Sequence, residues 1–175
     1  TFLARHEEVC TATASAARVA VFYSLDTERV YRTTTETSDL YGRGREAKKF
    51  AGNFSDAVYG FCDALSRSSV AYDLVLDLGL TAERLRRYEL VFLPTCACLS
   101  DATVALLREY VSAGGRIVGS FDTSLYAADG TRRDEFALAD VLGVSWLGSE
   151  TAYHTWNYFA PVAAHSLYDG LDIPY

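Results

Sequence analysis

No lysine or arginine cluster forms a stripe along this sequence. Its 16 basic residues are outnumbered by 23 acidic ones, and the net charge is −7. Without a basic stripe to neutralise phosphates, nucleic acid is excluded as a partner, and the acidity reads as a contribution to solubility. No apolar run approaches the roughly 20 residues of a membrane span, so no membrane partner is expected. No signal-peptide pattern opens the chain. Methionine is absent altogether, even at position 1. The chain starts in mid-pattern at Thr1-Phe2-Leu3 and stops at Ile173-Pro174-Tyr175, so a piece of a longer protein is expected.

The four cysteines, Cys10, Cys62, Cys96 and Cys98, make no metal set. Cys96-Ala97-Cys98 has C-x-C spacing with no second pair and no histidine beside it. Neither a metal nor another cofactor is expected. A chain of 175 residues can build its own core and needs no disulfide framework. Free thiols suit a reducing compartment, so a cytoplasmic location is expected.

The sequence does have a core. Half of its residues are apolar and 13% are aromatic, which places it among globular chains. Phe2–Ala14 reads as an Ala-rich helix, a linker over residues 1–16 from a missing upstream domain; residues 17–175 read as one domain. Arg18–Tyr23 (RVAVFY) is β-branched and aromatic, a first strand. Leu25–Arg45 is polar and reads as a long loop, its Thr33–Gly44 part with Tyr41 near the tip. Glu46–Ser66 carries Ala47, Phe50, Phe54, Ala57, Phe61 and Leu65 at helical spacing, and Cys62 on this helix is a small core residue. Ala71–Asp77 is a second strand. Thr81 caps a short helix to Tyr88. Glu89–Leu93 is a continuously apolar, buried strand stopped by Pro94. Ser100 caps a helix whose inner face is Val104, Leu107 and Val111. Arg116–Gly119 is a further strand, Asp134–Leu142 a helix closed by Gly143, and Val144–Leu147 a candidate strand. Alternating strands and helices predict an α/β fold: a three-layer α/β/α sandwich on a mainly parallel, flavodoxin-like sheet of about five strands.

The most telling stretch follows Gly114-Gly115. Arg116–Gly119 leads into the turn Ser120–Ser124, at the sheet edge where α/β chemistry sits. A nucleophile elbow there needs Ser or Cys at its apex; the apex here is Phe121, flanked by Gly119, Ser120, Asp122 and Thr123. Phenylalanine cannot attack a carbonyl, so no catalytic residue is assigned to this turn.

The run Tyr88–Asp122 (YELVFLPTCACLSDATVALLREYVSAGGRIVGSFD) resembles the class I glutamine amidotransferase-like fold. More narrowly, it resembles the β-galactosidase trimerisation-type domain of glycoside hydrolase family 42 and related glycosidases. Leu93-Pro94, Leu99-Ser100, Leu107–Val111, Gly114-Gly115, Thr123–Tyr126, Asp129-Gly130 and Phe136–Val144 carry the narrower likeness. Ala17–Ser24 and His165–Leu171 also fit it, so it covers most of the chain. Amidotransferases carry G-x-C-x-G at the elbow; this chain has Gly119-Ser120-Phe121-Asp122-Thr123, and no downstream His-Pro-Glu appears. Thiolate, base and oxyanion donors act together in a cysteine hydrolase, so the likeness transfers fold and not catalysis. It implies a non-catalytic accessory and assembly domain of a larger glycoside hydrolase. Its partners would be an upstream catalytic domain of the same protein and further copies, as a dimer or trimer.

Three chemical candidates stand beside that reading. Cys96 lies after the Leu93 strand, where the helix starting at Ser100 could lower a thiol pKa; the plainer reading is a semi-buried loop residue. Asp122 is a candidate acid, base or sugar ligand, or else a turn residue capping backbone amides. Ser124 is a candidate nucleophile only if a histidine reaches it. A divergent hydrolase using Cys96 or Ser124 is therefore one alternative. Asp73, Asp77, Asp122, Asp129 and Asp140 are available for glycosidase chemistry, but nothing pairs them across a cleft. Tyr153, His154, Trp156, Asn157, Tyr158 and Phe159 form the densest aromatic run, read as a strand with two different faces. Aromatic faces serve protein contacts and stack on sugars. Trp156, Tyr158, Phe159 and Tyr153 are the interface candidates, and a sugar- or small-molecule-binding module is the second alternative.

Overall fold

The computed structural model describes residues 2–11, 13–32, 53–148, 165, 166 and 169. Four strands make one sheet: β1 Val19–Tyr23, β2 Tyr72–Leu76, β3 Leu90–Leu93 and β4 Arg116–Gly119. All described pairings are parallel. The order is β2-β1-β3-β4, that of the first four strands in a flavodoxin-like doubly wound sheet. The chain therefore winds outward in opposite directions from the β1–β3 boundary.

The register sorts the strands into two faces. Ala20, Val91 and Asp73 share a row, as do Val21, Phe92, Leu74 and Val118. One face presents Ala20, Phe22, Val75, Val91 and Leu93, each with no exposure at all. Leu85 of helix α5 (Ala82–Leu85) and Val104, Leu107 and Tyr110 of α6 (Asp101–Ser112) join the same core. The opposite face carries α4 (Phe54–Arg67), whose Phe54 meets Tyr23 edge-on at 5.0 Å and whose Phe61 meets Phe92 at 5.0 Å. This is the three-layer α/β/α arrangement. At about 0.8 kcal/mol per buried CH2, these fully buried aliphatic side chains are the main favourable contribution to the fold.

Helix starts follow the expected chemistry. Thr81 accepts from the Arg84 amide at 3.2 Å and Ser100 from the Thr103 amide at 3.1 Å. Asn53 does the same for α4, accepting from the Asp56 amide. Gly143 closes α7 (Ala139–Leu142) in the left-handed region, φ +67, where a Cβ is costly.

Four local expectations are corrected. Leu25–Arg32 is helix α3 rather than loop. Ser24 caps it, since its Oγ accepts from the Thr27 amide at 3.0 Å, and the Asp77 carboxylate receives the Leu25 amide at 2.9 Å. The helix expected over Asp134–Leu142 shrinks to α7, because its first amides are taken elsewhere: Phe136 N–H by Glu135 Oε1, and Ala137 and Leu138 N–H by the Ser124 backbone oxygen and Oγ. Val144–Leu147 is not a strand; the Val144 amide returns to Ala139 and the Trp146 amide goes to Glu135 Oε1. The described sheet therefore has four strands. The N-terminal helix is two short pieces, α1 Phe2–Arg5 and α2 Glu7–Thr11, with no buried residue in either. Residues 33–52, including the Thr33–Gly44 loop, lie outside the described residues.

Candidate functional site

Ligands of open α/β sheets bind beyond the carboxyl ends of the strands, at the point where strand order reverses. Here that point is the β1–β3 boundary, flanked by Ser24 after β1 and by Pro94–Leu99 after β3. Both segments are buried: Ser24, Thr27, Cys96, Ala97 and Cys98 have no exposure.

A hydroxyl network holds the boundary shut. Ser24 Oγ donates to the Cys98 carbonyl at 2.9 Å. Thr27 Oγ1 accepts from the Cys98 amide at 3.0 Å and lies 2.9 Å from Ser24 Oγ. Helix α3 is thus fastened over the loop after β3, in the space a ligand would occupy. The Asp26 carboxyl at the start of α3 is held above its ordinary value by partial burial, with the Asp77 carboxylate adding to the effect.

Cys96 lies under this lid. Its Sγ is 3.6 Å from the carbonyls of Phe22 and Pro94. Burial pushes the thiol well above its ordinary range, and the Asp77 charge adds to it. A nucleophile must be a thiolate and must be reached; Cys96 meets neither condition. It is a core residue, deeper than the semi-buried loop position expected. Cys98 is equally buried.

The turn after β4 has the backbone of an elbow. Phe121 sits in the left-handed region, φ +54, and is 57% exposed, so the expected apex is the geometric apex. Its neighbours turn inward. Ser120 Oγ accepts from the Thr95 amide at 3.0 Å. Thr123 Oγ1 accepts from the Cys96 amide at 3.2 Å and lies 3.0 Å from the Leu93 carbonyl. Asp122 is buried, and Tyr31 of α3 donates its hydroxyl to Asp122 Oδ2 at 2.6 Å. Ser124, without exposure, accepts from the Leu138 amide at 3.1 Å. The polar side chains of the turn are therefore engaged in joining β3, β4, α3 and the segment before α7. A small cleft of ≈ 210 Å³ lies beside the apex, lined by Gly119, Phe121, Thr123, Phe136, Leu142 and Val144.

The remaining carboxylates are spread over the molecule. Asp73 accepts from Tyr88 OH at 2.9 Å and Ser15 Oγ at 2.7 Å. Asp129 accepts from the Thr131 amide. Asp140 ion-pairs with Arg108 at 2.8 Å, which lowers its pKa. Among the described residues, no three His, Cys, Asp or Glu side chains gather to hold a metal, and no helix is long and apolar enough to cross a membrane. Tyr153, Trp156, Tyr158 and Phe159 lie outside the described residues, as does His154. Sequence reasoning missed the Ser24–Thr27–Cys98 network and the Tyr31–Asp122 bond. Ser24 was the available signal, since a serine at the N-cap accepts from the backbone amide three residues on.

The family model of the beta-galactosidase trimerisation domain matches residues 17–157. Comparison with curated proteins returns no match. Among solved structures, beta-galactosidase from Bifidobacterium adolescentis is similar at 24% identity and TM-score 0.58, over 75% of this chain and 56% of that one. Beta-galactosidase from Bacillus circulans sp. alkalophilus is similar at 20% identity and TM-score 0.59, over 79% of this chain and 19% of that one. The chain spans little more than half of the first of these proteins and about a fifth of the second.

Proposed function

The chain belongs to the family of beta-galactosidase trimerisation domains, and we propose on that basis that it assembles a larger, cytoplasmic glycoside hydrolase and carries no chemistry of its own. The supporting observation is the closed β1–β3 boundary. Where an α/β enzyme opens a crevice, this chain places α3, bonded through Ser24 and Thr27 to Cys98. The elbow beside it has Phe121 at its apex. The acid and nucleophile of the hydrolase belong in this reading to an upstream catalytic domain, to which residues 1–16 lead. Residues 17–175 form the assembly domain. Trp156, Tyr158, Phe159 and Tyr153 are proposed contact residues with that domain or with other copies, and the assembly is a trimer.

Calorimetric titration separates assembly from sugar binding. Galactose and lactose at millimolar concentration are expected to give flat heats with this chain. A saturable heat would overturn the assignment in favour of a sugar-binding module.

A further inference from the structure

A second cavity lies at the opposite end of the sheet from the elbow. It holds ≈ 260 Å³ and is lined by residues at the amino ends of β3 and β4 and at the carboxyl end of α6. Tyr88 and Tyr110 form part of its wall, and both are buried. Their places are fixed. The Tyr110 hydroxyl donates to the Tyr88 carbonyl at 3.1 Å, and the Tyr88 hydroxyl to Asp73 at 2.9 Å. The Tyr110 ring lies so close to the Gly115 backbone that a Cβ there would stand 2.2 Å from it. The Gly115 amide in turn donates to the Tyr110 carbonyl at 3.0 Å.

Arginine gathers at this end of an otherwise acidic chain. Arg86 and Arg116 line the cavity itself. Arg18 precedes β1, and Arg84 and Arg87 come shortly before β3. The acids beside them are engaged: Glu89 with Arg18, Glu109 with Arg86, and Asp73 with the Tyr88 and Ser15 hydroxyls. No ion pair joins Arg84, Arg87 or Arg116 to a described acid. Burial raises the pKa of both tyrosines, and Asp73 adds to it at Tyr88; the charges of Arg87 and Arg84 at Tyr88, and of Arg116 at Tyr110, oppose it. These guanidiniums therefore stand within electrostatic range of the two buried rings. With a net charge of −7 the chain as a whole repels anions, and a local excess of arginine beside a cavity is where one can be held.

Guanidinium groups match the paired oxygens of a carboxylate or phosphate through parallel N–H bonds. Tyrosine faces offer an apolar surface to the body of the same molecule. The cavity is slightly smaller than the usual range for drug-sized ligands, so its ligand is compact. We propose that this cavity binds a compact organic anion, its carboxylate or phosphate held by Arg116 and Arg86 and its body set against Tyr88 and Tyr110. The site is separate from the closed β1–β3 boundary, takes a charged ligand rather than a neutral sugar, and does not depend on assembly.

Calorimetric titration of this chain with citrate and with inorganic phosphate, at constant ionic strength, tests it. A saturable heat at millimolar concentration is expected with at least one of the two; citrate alone points to a carboxylate ligand, phosphate alone to a phosphate. Arg116→Gln removes a charge-assisted pair and is expected to weaken binding roughly tenfold or more. Ala113, exposed at the cavity, gives the complementary variant: Ala113→Phe fills the space, keeps every charge and is expected to abolish binding. Arg67→Gln removes the same charge from α4, where Arg67 pairs with Asp63, and is expected to leave binding unchanged. Replacement of exposed side chains alters stability little, which equal thermal melts check; Arg86→Gln serves should Arg116→Gln melt lower. Absence of a saturable heat with both anions would overturn the proposal. Equal losses in Arg116→Gln and Arg67→Gln would overturn it too, since the heat would then report overall charge. Undiminished binding by Ala113→Phe would place the anion outside the cavity and overturn the site.

Discussion

Replacing Thr27 with valine tests whether the closed β1–β3 boundary is held by its hydroxyls. Thr27 is without exposure, and valine fills nearly the same volume, so the change removes polarity and leaves no hole. The Cys98 amide then loses its acceptor, now 3.0 Å away, and Ser24 Oγ loses a neighbour at 2.9 Å. A buried donor left without a partner costs about 1–3 kcal/mol. For a chain of this size each kcal/mol lowers the melting temperature by roughly 2–4 °C, so a drop of about 6 °C is expected. Urea unfolding should show a lower midpoint with an unchanged slope. Thr27→Ser keeps the hydroxyl and loses one methyl, which costs about 1 kcal/mol or less. A Thr27→Val chain within about 0.5 kcal/mol of the parent, the range of ordinary surface changes, would refute the network's role. So would a serine variant less stable than the valine one, since the methyl and not the hydroxyl would then hold α3 in place.

Three further outcomes follow from the same geometry. Gly115→Ala puts a Cβ 2.2 Å from the Tyr110 ring, whose hydroxyl is tied to the Tyr88 carbonyl at 3.1 Å; overpacking of this kind costs about 1–3 kcal/mol, measurable as a lower urea midpoint, and an unchanged midpoint would contradict the placement. At neutral pH, iodoacetamide should label the exposed Cys10 quickly and leave the buried Cys96 untouched until the chain is unfolded; peptide mapping that finds both labelled at one rate would reopen the thiol as a nucleophile. Burial raises the pKa of Cys96 above 9.0, and burial likewise raises Tyr110 above 10.0. The folded chain thus favours the protonated forms, and the stability they contribute is complete below about pH 9 and is lost as pH rises through the folded values. A urea midpoint that is flat from neutral pH to strongly alkaline solution would contradict this burial.

The sheet was legible because its strands are short apolar runs with clear stops. RVAVFY and ELVFL are buried on both faces or nearly so; Pro94 stops the second, and Gly114-Gly115 marks the start of Arg116–Gly119. Thr81 and Ser100 announced their helices because a cap is a local bond between residues three apart. Helix α3 was not legible, since among its described side chains only Thr27 and Tyr31 are buried and one of those is polar. Its start depends on Asp77, 52 positions distant from Leu25. The over-long helix at Asp134–Leu142 has the same origin. Leu138, Val141 and Leu142 suggest an apolar stripe, but Ser124 withdraws two of the amides a helix needs.

The candidate site divides in the same way. The elbow's apex could be found from strand, turn and glycine signals, and Phe121 does occupy the left-handed position. The depth of Cys96 and Cys98 could not. A C-x-C stretch after proline reads as a semi-buried loop until α3 is folded over it. Asp122 reads from the sequence as a turn residue capping nearby backbone amides, yet Tyr31, 91 positions away in sequence, donates to it.

Light scattering of the parent chain across a tenfold concentration range decides whether this domain brings copies together. An assembly domain is expected to hold three times the 19.3 kDa chain mass over that range, or to approach it as concentration rises. A mass that stays at one chain at every concentration would contradict the claim that this domain brings copies together.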